Sequence, residues 1–196
     1  MTLVRQTPLA QLVGATSRRR RFGILLGWLV ELPLIGPGMA RVTRAPIKIR
    51  FLSTRVTRLH ASLLKLTRGR LRRSWLLAAG QPVLALTTTG RRTGLPRSTA
   101  VACFTHGDDL VLAGMNLGVA CDPQWALNLR ANPGATIEIG GHTIPVTATT
   151  ATGDEAAQLW QRWLELQPSA DRFRQLAGRD IPLFVLTRRA LDVVPE

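Results

Sequence analysis

The residues with the clearest chemical potential lie in one stretch, PVLALTTTGRRTGLPR, which runs from Pro82 to Arg97. Two glycines in it bound a turn between two apolar runs, a pattern that is typical of a β-hairpin. Four side chains at this turn can bind an anion: Arg91, Arg92, Thr93 and Arg97. Guanidinium groups bind phosphate and carboxylate bidentately, and glycine lets a ligand approach the backbone closely. The stretch predicts either an anion-binding hairpin or a basic tip that only faces solvent.

Strand signals surround this turn and continue towards the C-terminal end. Apolar and β-branched runs between turn residues predict strands at Val83–Thr89, Thr99–Thr105, Leu110–Ala113, Ala135–Ile139, His142–Thr149 and Pro182–Thr187. The pair Gly140 and Gly141 is a strong signal for a tight hairpin. Hairpins dominate and no βαβ unit recurs, so the pattern predicts an α+β fold built on a small β-barrel.

Helices are predicted in the longer connections between these strands. Asp122 can cap a helix that has Pro123 in its first turn and covers the sequence DPQWALNLRANP. The sequence TGDE, starting at Thr152, is a capping box for a second helix. The buried stripe of that second helix is predicted to hold Trp160, Trp163 and Leu164. A third helix is predicted from a cap at Ser169 to a stop near Gly178.

Charge divides the chain into a basic N-terminal part and a near-neutral remainder. The chain has 26 Lys and Arg residues and 12 Asp and Glu residues. Residues 1–75 hold 16 of the basic residues and one acid, which leaves 26 − 16 = 10 basic and 12 − 1 = 11 acidic residues for 76–196. This asymmetry predicts a basic arm over residues 1–55 and a globular domain over residues 56–196. It argues against a nucleic-acid partner and favours an anionic membrane surface as the partner of residues 1–75.

The arm contains an apolar segment, FGILLGWLVELPLIGPGMA, at residues 22–40. Its uncharged run from Phe22 to Val30 is too short to span a bilayer. The segment can lie on the inner face of the cell membrane of a cytoplasmic protein, or the preceding RRRF can belong to a twin-arginine-like export signal. It can also pack on the domain or on a partner chain. A basic amphipathic helix is predicted further along, from Val56 to Leu66.

The remaining reactive residues do not form a recognisable catalytic or metal site. Cys103 and Cys121 are interpreted as buried thiols of a reducing compartment, because two cysteines make neither a disulfide framework nor a metal cluster. The three histidines lack metal-ligand spacing. The chain contains no G-x-S-x-G, P-loop or G-x-G-x-x-G motif. We therefore expect no metal and no nucleophilic triad.

Taken together, TTTGRRTGLPR, PQWALNLRANP, the Gly-Gly hairpin and RDIPLFVL resemble the deazaflavin-dependent nitroreductase family, which binds coenzyme F420. The resemblance covers about residues 56–187. It implies a split β-barrel of the type that binds FMN, with flanking helices and, in this chain, a basic N-terminal arm. The family cofactor has a flat deazaflavin ring at one end and a phosphodiester with a glutamate tail at the other.

The resemblance also implies which residues contact the cofactor. Arg91, Arg92 and Thr93 would hold the phosphate and tail, beside Arg97 and the backbone of Ser98, Thr99, Ala100, Val101 and Ala102. The edge of the ring would follow Ala113, Gly114, Met115 and Asn116. The opposite wall would consist of Gln124, Trp125, Ala126, Leu127 and Asn128.

This sequence departs from the family at two places near the expected substrate. Met115 replaces a serine that is common in the ring-edge loop. Gln167, Ala170 and Phe173 stand where nitroreductase members have tyrosines, and the chain contains no tyrosine. The departures favour a quinone or another apolar enone-like acceptor over a nitroimidazole.

The resemblance predicts an oxidoreductase that transfers a hydride from reduced F420 to a small electron-poor acceptor, with no catalytic side chain identified. Two alternatives remain open at this point. One is a reductase of the same fold that uses FMN. The other is a non-catalytic F420-binding module on the membrane.

Overall fold

The computed structural model describes residues 8–14, 81–139 and 141–189. Within these ranges the chain forms a closed antiparallel β-barrel with the strand order β1-β2-β3-β6-β5-β4. The strands are β1 (Val83–Thr89), β2 (Pro96–His106), β3 (Asp109–Ala113), β4 (Gly134–Ile139), β5 (His142–Thr150) and β6 (Leu183–Arg188). The predicted barrel is confirmed, and each predicted strand is present with ends that differ by three residues or fewer.

Short helices connect or cover the strands. They are α1 (Leu9–Gly14), α2 (Gln124–Ala131), α3 (Gly153–Leu166) and α4 (Ala170–Ala177), with a single 3₁₀ turn at Asn116–Gly118. The predicted helices after Asp122, Thr152 and Ser169 are therefore confirmed. The predicted helix at 56–66 and the apolar segment 22–40 lie outside the described residues.

The predicted side-chain caps of these helices are wrong. Pro123, not Asp122, is the N-cap residue of α2, and it has no hydroxyl or carboxylate to offer. Thr152 and Ser169 do precede α3 and α4, but neither side chain makes a capping hydrogen bond. Asp122 instead pairs with two arginines. A carboxylate binds a charged guanidinium more strongly than it binds a neutral backbone amide.

The barrel interior is filled by aliphatic side chains and closed at its ends by helices. Leu84, Leu110 and Ile137 are fully buried there. Residues 9 and 13 of α1 belong to this same interior cluster, as do residues 126 and 129 of α2. The Ala10 amide also donates to the Asp108 carbonyl, in the turn between β2 and β3. An early part of the chain therefore completes the barrel core.

A second apolar cluster lies outside the barrel, where α3 and α4 cover β2, β3 and β6. Its centre is Trp163, which is 1% exposed and meets the Phe104 ring edge-on at 5.4 Å. Trp160 is also buried, and Leu164 is half-buried against the same cluster. The predicted tryptophan stripe is thus part of the core, and it fixes α4 beside the loop that follows β3.

Candidate functional site

The β1–β2 hairpin ends in a tight turn between Gly90 and Leu95. The Gly90 amide donates to the Leu95 carbonyl at 2.9 Å, and the Thr93 and Gly94 amides donate to the Gly90 carbonyl at 3.1 and 2.7 Å. A Cβ at Gly90 would lie 3.0 Å from the Leu95 carbonyl oxygen, and Gly94 has a φ of 68°. Both glycines are therefore needed, and the turn gives its basic side chains a fixed backbone frame.

The arginines at this turn have different surroundings. Arg91 donates from Nη1 to Oε1 of Gln124, on α2, at 2.9 Å. Arg92 and Arg97 are exposed, and in the described part of the chain their guanidinium groups have no hydrogen-bond or ion-pair partner. Thr93 is exposed as well, and its hydroxyl accepts from the Leu95 amide at 3.4 Å. The tip thus offers free positive charge beside α2.

Helix α2 is locked onto this turn through its predicted wall residues. Asn128 is buried, and its Oδ1 accepts from the Arg91 backbone amide at 3.2 Å. Trp125 is half-buried and meets the Phe184 ring edge-on at 5.6 Å. Ala126 is fully buried in the barrel core, and Leu127 is half-buried. Gln124 and Asn128 therefore face the turn, while Trp125 and Ala126 pack inward.

The predicted cofactor-lining residues of β2 divide between the two faces of the sheet. Ser98, Ala100 and Ala102 lie on the outer face, whereas Thr99 and Val101 alternate to the inner face, where Val101 joins the barrel core. The outer residues are half-buried and pair with residues 87, 85 and 83 of β1. Ala102 also contacts the cluster beneath α3 and α4. A strip of small side chains therefore leads from the arginine tip to that cluster.

The loop after β3 runs beside the same cluster. Ala113 is buried at the end of the strand, and Met115 is half-buried against the cluster. Asn116 has a φ of 47°, in the left-handed region that few residues other than glycine adopt. Its Nδ2 donates to the Cys121 carbonyl at 2.8 Å, which closes the loop on itself.

Sequence reasoning missed two residues that hold this loop. Arg179, between α4 and β6, pairs with Asp122 at 2.6 Å, and Asp122 also pairs with Arg130 of α2 at 2.5 Å. Asp122 had the signature of a helix cap, and Arg179 stood out only as the first residue of RDIPLFVL. No local pattern could pair two residues that lie so far apart in the chain.

The predicted substrate residues are not all open to a ligand. Ala170 is 0% exposed in the outer cluster, and Gln167 is 8% exposed at the end of α3. Phe173 is half-buried beside the 3₁₀ turn, where a Cβ at Gly118 would lie 3.5 Å from its Cδ1. Of the three, Phe173 is the residue that still has accessible surface beside the loop after β3.

The two cysteines have opposite environments. Cys103 is buried in the barrel, as predicted, and burial raises the pKa of its thiol to about 12. Cys121 is exposed, so the prediction that both thiols are buried is wrong. It lies in the loop before α2, next to the half-buried Asp122 and Pro123. Within the described ranges, no group of His, Cys, Asp and Glu residues could hold a metal ion.

The closed antiparallel barrel with flanking helices is similar to those of solved F420-dependent reductases. The solved structure of F420-H2 Dependent Reductase (FDR-A) aligns with 54% of this chain and 94% of its own. The sequence identity is 25% and the TM-score is 0.50. A solved chain described as a domain-swapped dimer has the same fold, at 21% identity, a TM-score of 0.51, and coverage of 66% of this chain and 96% of that one. The predicted split barrel is confirmed.

The profile of the F420H(2)-dependent quinone reductase family matches residues 56–188, and the chain belongs to this family. A similar relative is the F420H(2)-dependent quinone reductase Rv1261c of Mycobacterium tuberculosis (strain ATCC 25618 / H37Rv). It is 32% identical over 145 residues, which cover 71% of this chain and 95% of the relative.

Family membership makes the chain an oxidoreductase that uses F420 to reduce a quinone-type acceptor. This confirms the predicted cofactor over the FMN alternative, and the predicted preference for quinones. The family is named for quinones, so the nitroreductase part of the resemblance is not confirmed. No helix in the described ranges combines the length and hydropathy that a bilayer-crossing segment needs.

Proposed function

We propose that the hairpin tip binds the acidic end of F420 and that the small-residue strip and the loop after β3 receive its deazaflavin ring. The observation that carries the proposal is the pair of exposed guanidinium groups of Arg92 and Arg97, which have no partner among residues 8–14, 81–139 and 141–189. A phosphodiester and several glutamates need such groups, because a guanidinium binds each oxyanion with two parallel hydrogen bonds. The donor set at the tip therefore fits the cofactor.

The roles of the other residues follow from their surroundings. Ser98, Ala100 and Ala102 have side chains small enough for a flat ring to lie close to the strand. Arg91 is engaged with Gln124, so its part is to join the tip to α2 while its remaining donors face the ligand. When bound and reduced, F420 supplies a hydride. The protein supplies binding, orientation and exclusion of water, and no described side chain is needed as a nucleophile.

The quinone is proposed to reach the ring beside the loop after β3. Met115 and Phe173 are both half-buried there and offer apolar surface to an uncharged acceptor ring. Quinones with long apolar tails reside in membranes, and the charge of residues 1–75 suits an anionic leaflet. The acceptor is therefore proposed to be a membrane quinone of the menaquinone type, met at the bilayer surface by a cytoplasmic enzyme.

The activity is tested by mixing reduced F420 with a menaquinone analogue and following reoxidation of the cofactor by its absorbance. Reoxidation that depends on the protein is the expected result. Tight binding of F420 without turnover across a panel of quinones would instead support the non-catalytic module. Failure to bind F420 at tens of micromolar would sink both.

The assigned site is tested by combining Arg92→Gln with Arg97→Gln. Loss of these charges is expected to weaken binding more for F420 with a long glutamate tail than for the tail-free deazaflavin riboside, roughly tenfold for each lost guanidinium contact. Arg162→Gln is the matched control, since its exposed pair with Glu165 lies on α3. An equal loss of affinity for both cofactor forms would contradict the proposal that the tip binds the glutamate tail.

Membrane association is tested with full-length protein and vesicles that contain anionic lipid. Replacing the arginines at positions 18–21 by glutamine is preferable to deletion of the arm, because α1 belongs to the barrel core. The wild-type chain is expected to pellet with the vesicles at low salt, and the variant to pellet less. Equal pelleting of the two would contradict a role for this basic run.

A further inference from the structure

Arg179 lies between α4 and β6, and its guanidinium group reaches the loop that follows β3. Nη2 donates to the Gly114 carbonyl at 2.9 Å and to the Cys121 carbonyl at 3.2 Å. Nη1 donates to the Asp180 carbonyl at 3.0 Å and pairs with Asp122 at 2.6 Å. Each terminal nitrogen thus meets two acceptors, and one side chain spans both ends of the loop.

The loop is held at the same two points by other contacts. The Gly114 amide donates to the Pro182 carbonyl at 2.9 Å, so both the amide and the carbonyl group of Gly114 are hydrogen-bonded. The Cys121 carbonyl accepts from Asn116 as well as from Arg179. The left-handed backbone of Asn116 therefore lies in a loop that is held closed both by the Asn116 side chain and by the Arg179 guanidinium.

Two ion pairs of Asp122 link this loop to α2. Asp122 accepts from Arg179 on one side and from Arg130 of α2 on the other. The side chains of Arg179 and Asp122 are only 17% and 14% exposed, so water screens their attraction less than at the surface pairs of α3 and α4. The loop after β3, helix α2 and the segment just before β6 are therefore held together by these contacts.

We infer that Arg179, with Asp122, is a positioning residue that fixes the loop from Gly114 to Cys121 for the deazaflavin ring. The inference rests on the proposed function, which assigns that loop to the edge of the ring. Both terminal nitrogens of Arg179 are engaged with Asp122 and three backbone carbonyls, so they have no donors left for the tail of the cofactor. Its effect is therefore expected on the ring and not on the glutamates, the reverse of Arg92 and Arg97.

Only arginine has the donors needed to bind all four acceptors at this position. Its planar group presents donors in fixed directions, whereas lysine offers a single nitrogen that cannot reach four acceptors spread around the loop. Small displacements of a positioning element reduce hydride-transfer rates strongly, because the reacting atoms must lie within a narrow range of distance. A variant at this position is thus expected to change rate as well as affinity.

The test compares wild type, Arg179→Gln and Arg162→Gln in the full-length protein. Amide hydrogen exchange without cofactor is expected to accelerate roughly tenfold at residues 114–121 in Arg179→Gln. Affinity for F420 and for the tail-free deazaflavin riboside is expected to fall by the same factor, also roughly tenfold. Arg162→Gln, which removes an exposed pair with Glu165, is expected to match wild type in all three measurements.

Several outcomes would overturn the inference. These are unchanged exchange in the loop, faster exchange with unchanged affinity for both cofactor forms, or a loss that grows with tail length. If Arg179→Gln does not fold, Asp122→Asn takes its place, with the same expectations, since it keeps the shape of the side chain and removes the charge. If wild type binds neither cofactor form, the proposed function fails and this inference with it. If wild type binds and the variant binds equally well, only this inference fails.

Discussion

Asn128 Nδ2 lies 3.1 Å from Thr88 Oγ1, and both side chains are almost fully buried, at 4% and 1% exposure. The contact joins α2 to the C-terminal end of β1, immediately before the arginine tip. The other end of the same amide accepts from the Arg91 backbone. One buried side chain thus satisfies a strand hydroxyl and a turn amide, and its bond to Thr88, which is shielded from water, anchors the tip to α2.

Asn128→Ala is expected to lower the free energy of unfolding by about 1–3 kcal/mol, because it leaves the Thr88 hydroxyl and the Arg91 amide without this partner. Urea denaturation measures this change. The matched control is Asn132→Ala, whose side chain accepts from the Gly134 amide at an exposed position just beyond α2. A loss for Asn132→Ala as large as that for Asn128→Ala would contradict the special role of the buried amide.

Much of the barrel could be predicted because its signals are local. The bounds predicted for β1 are those observed, Val83–Thr89, since a threonine run followed by glycine states where a strand ends. Gly141 has a φ of 85°, and this is the backbone conformation that the Gly-Gly hairpin signal implied. Turn chemistry of this kind depends on a few adjacent residues, so a sequence discloses it.

The parts that could not be predicted depend on contacts between distant residues. Asp122 beside proline reads as a helix cap, but Arg179 and Arg130 compete for its carboxylate and prevail because charged partners bind it more strongly. Likewise Leu9 lies in a short, mixed segment with no strong period. Its burial follows from the open end of a barrel that forms far along the chain.

Leu9→Ala is expected to lower the free energy of unfolding by about 2–5 kcal/mol, the range for removing a leucine from a core that cannot collapse around the gap. Leu9 is 1% exposed in the barrel core. The comparison variant is Gln11→Ala, on the exposed side of the same helix, which is expected to stay within about 0.5 kcal/mol of wild type. If urea denaturation gave equal midpoints for the two variants, α1 would not contribute to the core.

Thiol labelling should distinguish the two cysteines. A thiol-specific reagent at pH 8 is expected to modify the exposed Cys121 in the native protein and to reach Cys103 only after denaturation. Cys121→Ser should abolish labelling of the native protein and leave only the labelling of Cys103 after denaturation. Rapid labelling of both thiols in native wild type would contradict the burial of Cys103.

Cys103 should also make stability depend on pH in alkaline solution. Burial raises the pKa of its thiol from 9.0 to about 12, so the folded chain keeps a proton that the unfolded chain releases. The contribution of this thiol to the free energy of unfolding is therefore complete below pH 9. It is lost as the pH rises from 9 towards 12, by about 1.4 kcal/mol per pH unit.

This pH dependence is measured by urea denaturation of wild type and Cys103→Ala between pH 8 and pH 10.5. The chain has no tyrosine, which leaves few other groups to titrate in this range. Parallel curves for the two proteins would rule out the shift.

Gly114 is expected to tolerate no larger residue while Pro182 lies against it. A Cβ at Gly114 would stand 2.8 Å from Pro182 Cγ, and the ring cannot move without shifting the start of β6. Gly114→Ala is therefore expected to cost about 1–3 kcal/mol of stability, measured by urea denaturation. Gly134→Ala is the control, because its added methyl group would meet the ends of two side chains, Asn132 Oδ1 at 3.3 Å and Arg189 Nη1 at 3.8 Å, and no backbone or ring atom among its nearest neighbours. Adding Pro182→Ala to Gly114→Ala removes the obstacle, so the double variant should lose less than the sum of the two single losses. Strict additivity would mean that the two residues do not press on each other, and that Gly114 is needed for some other reason.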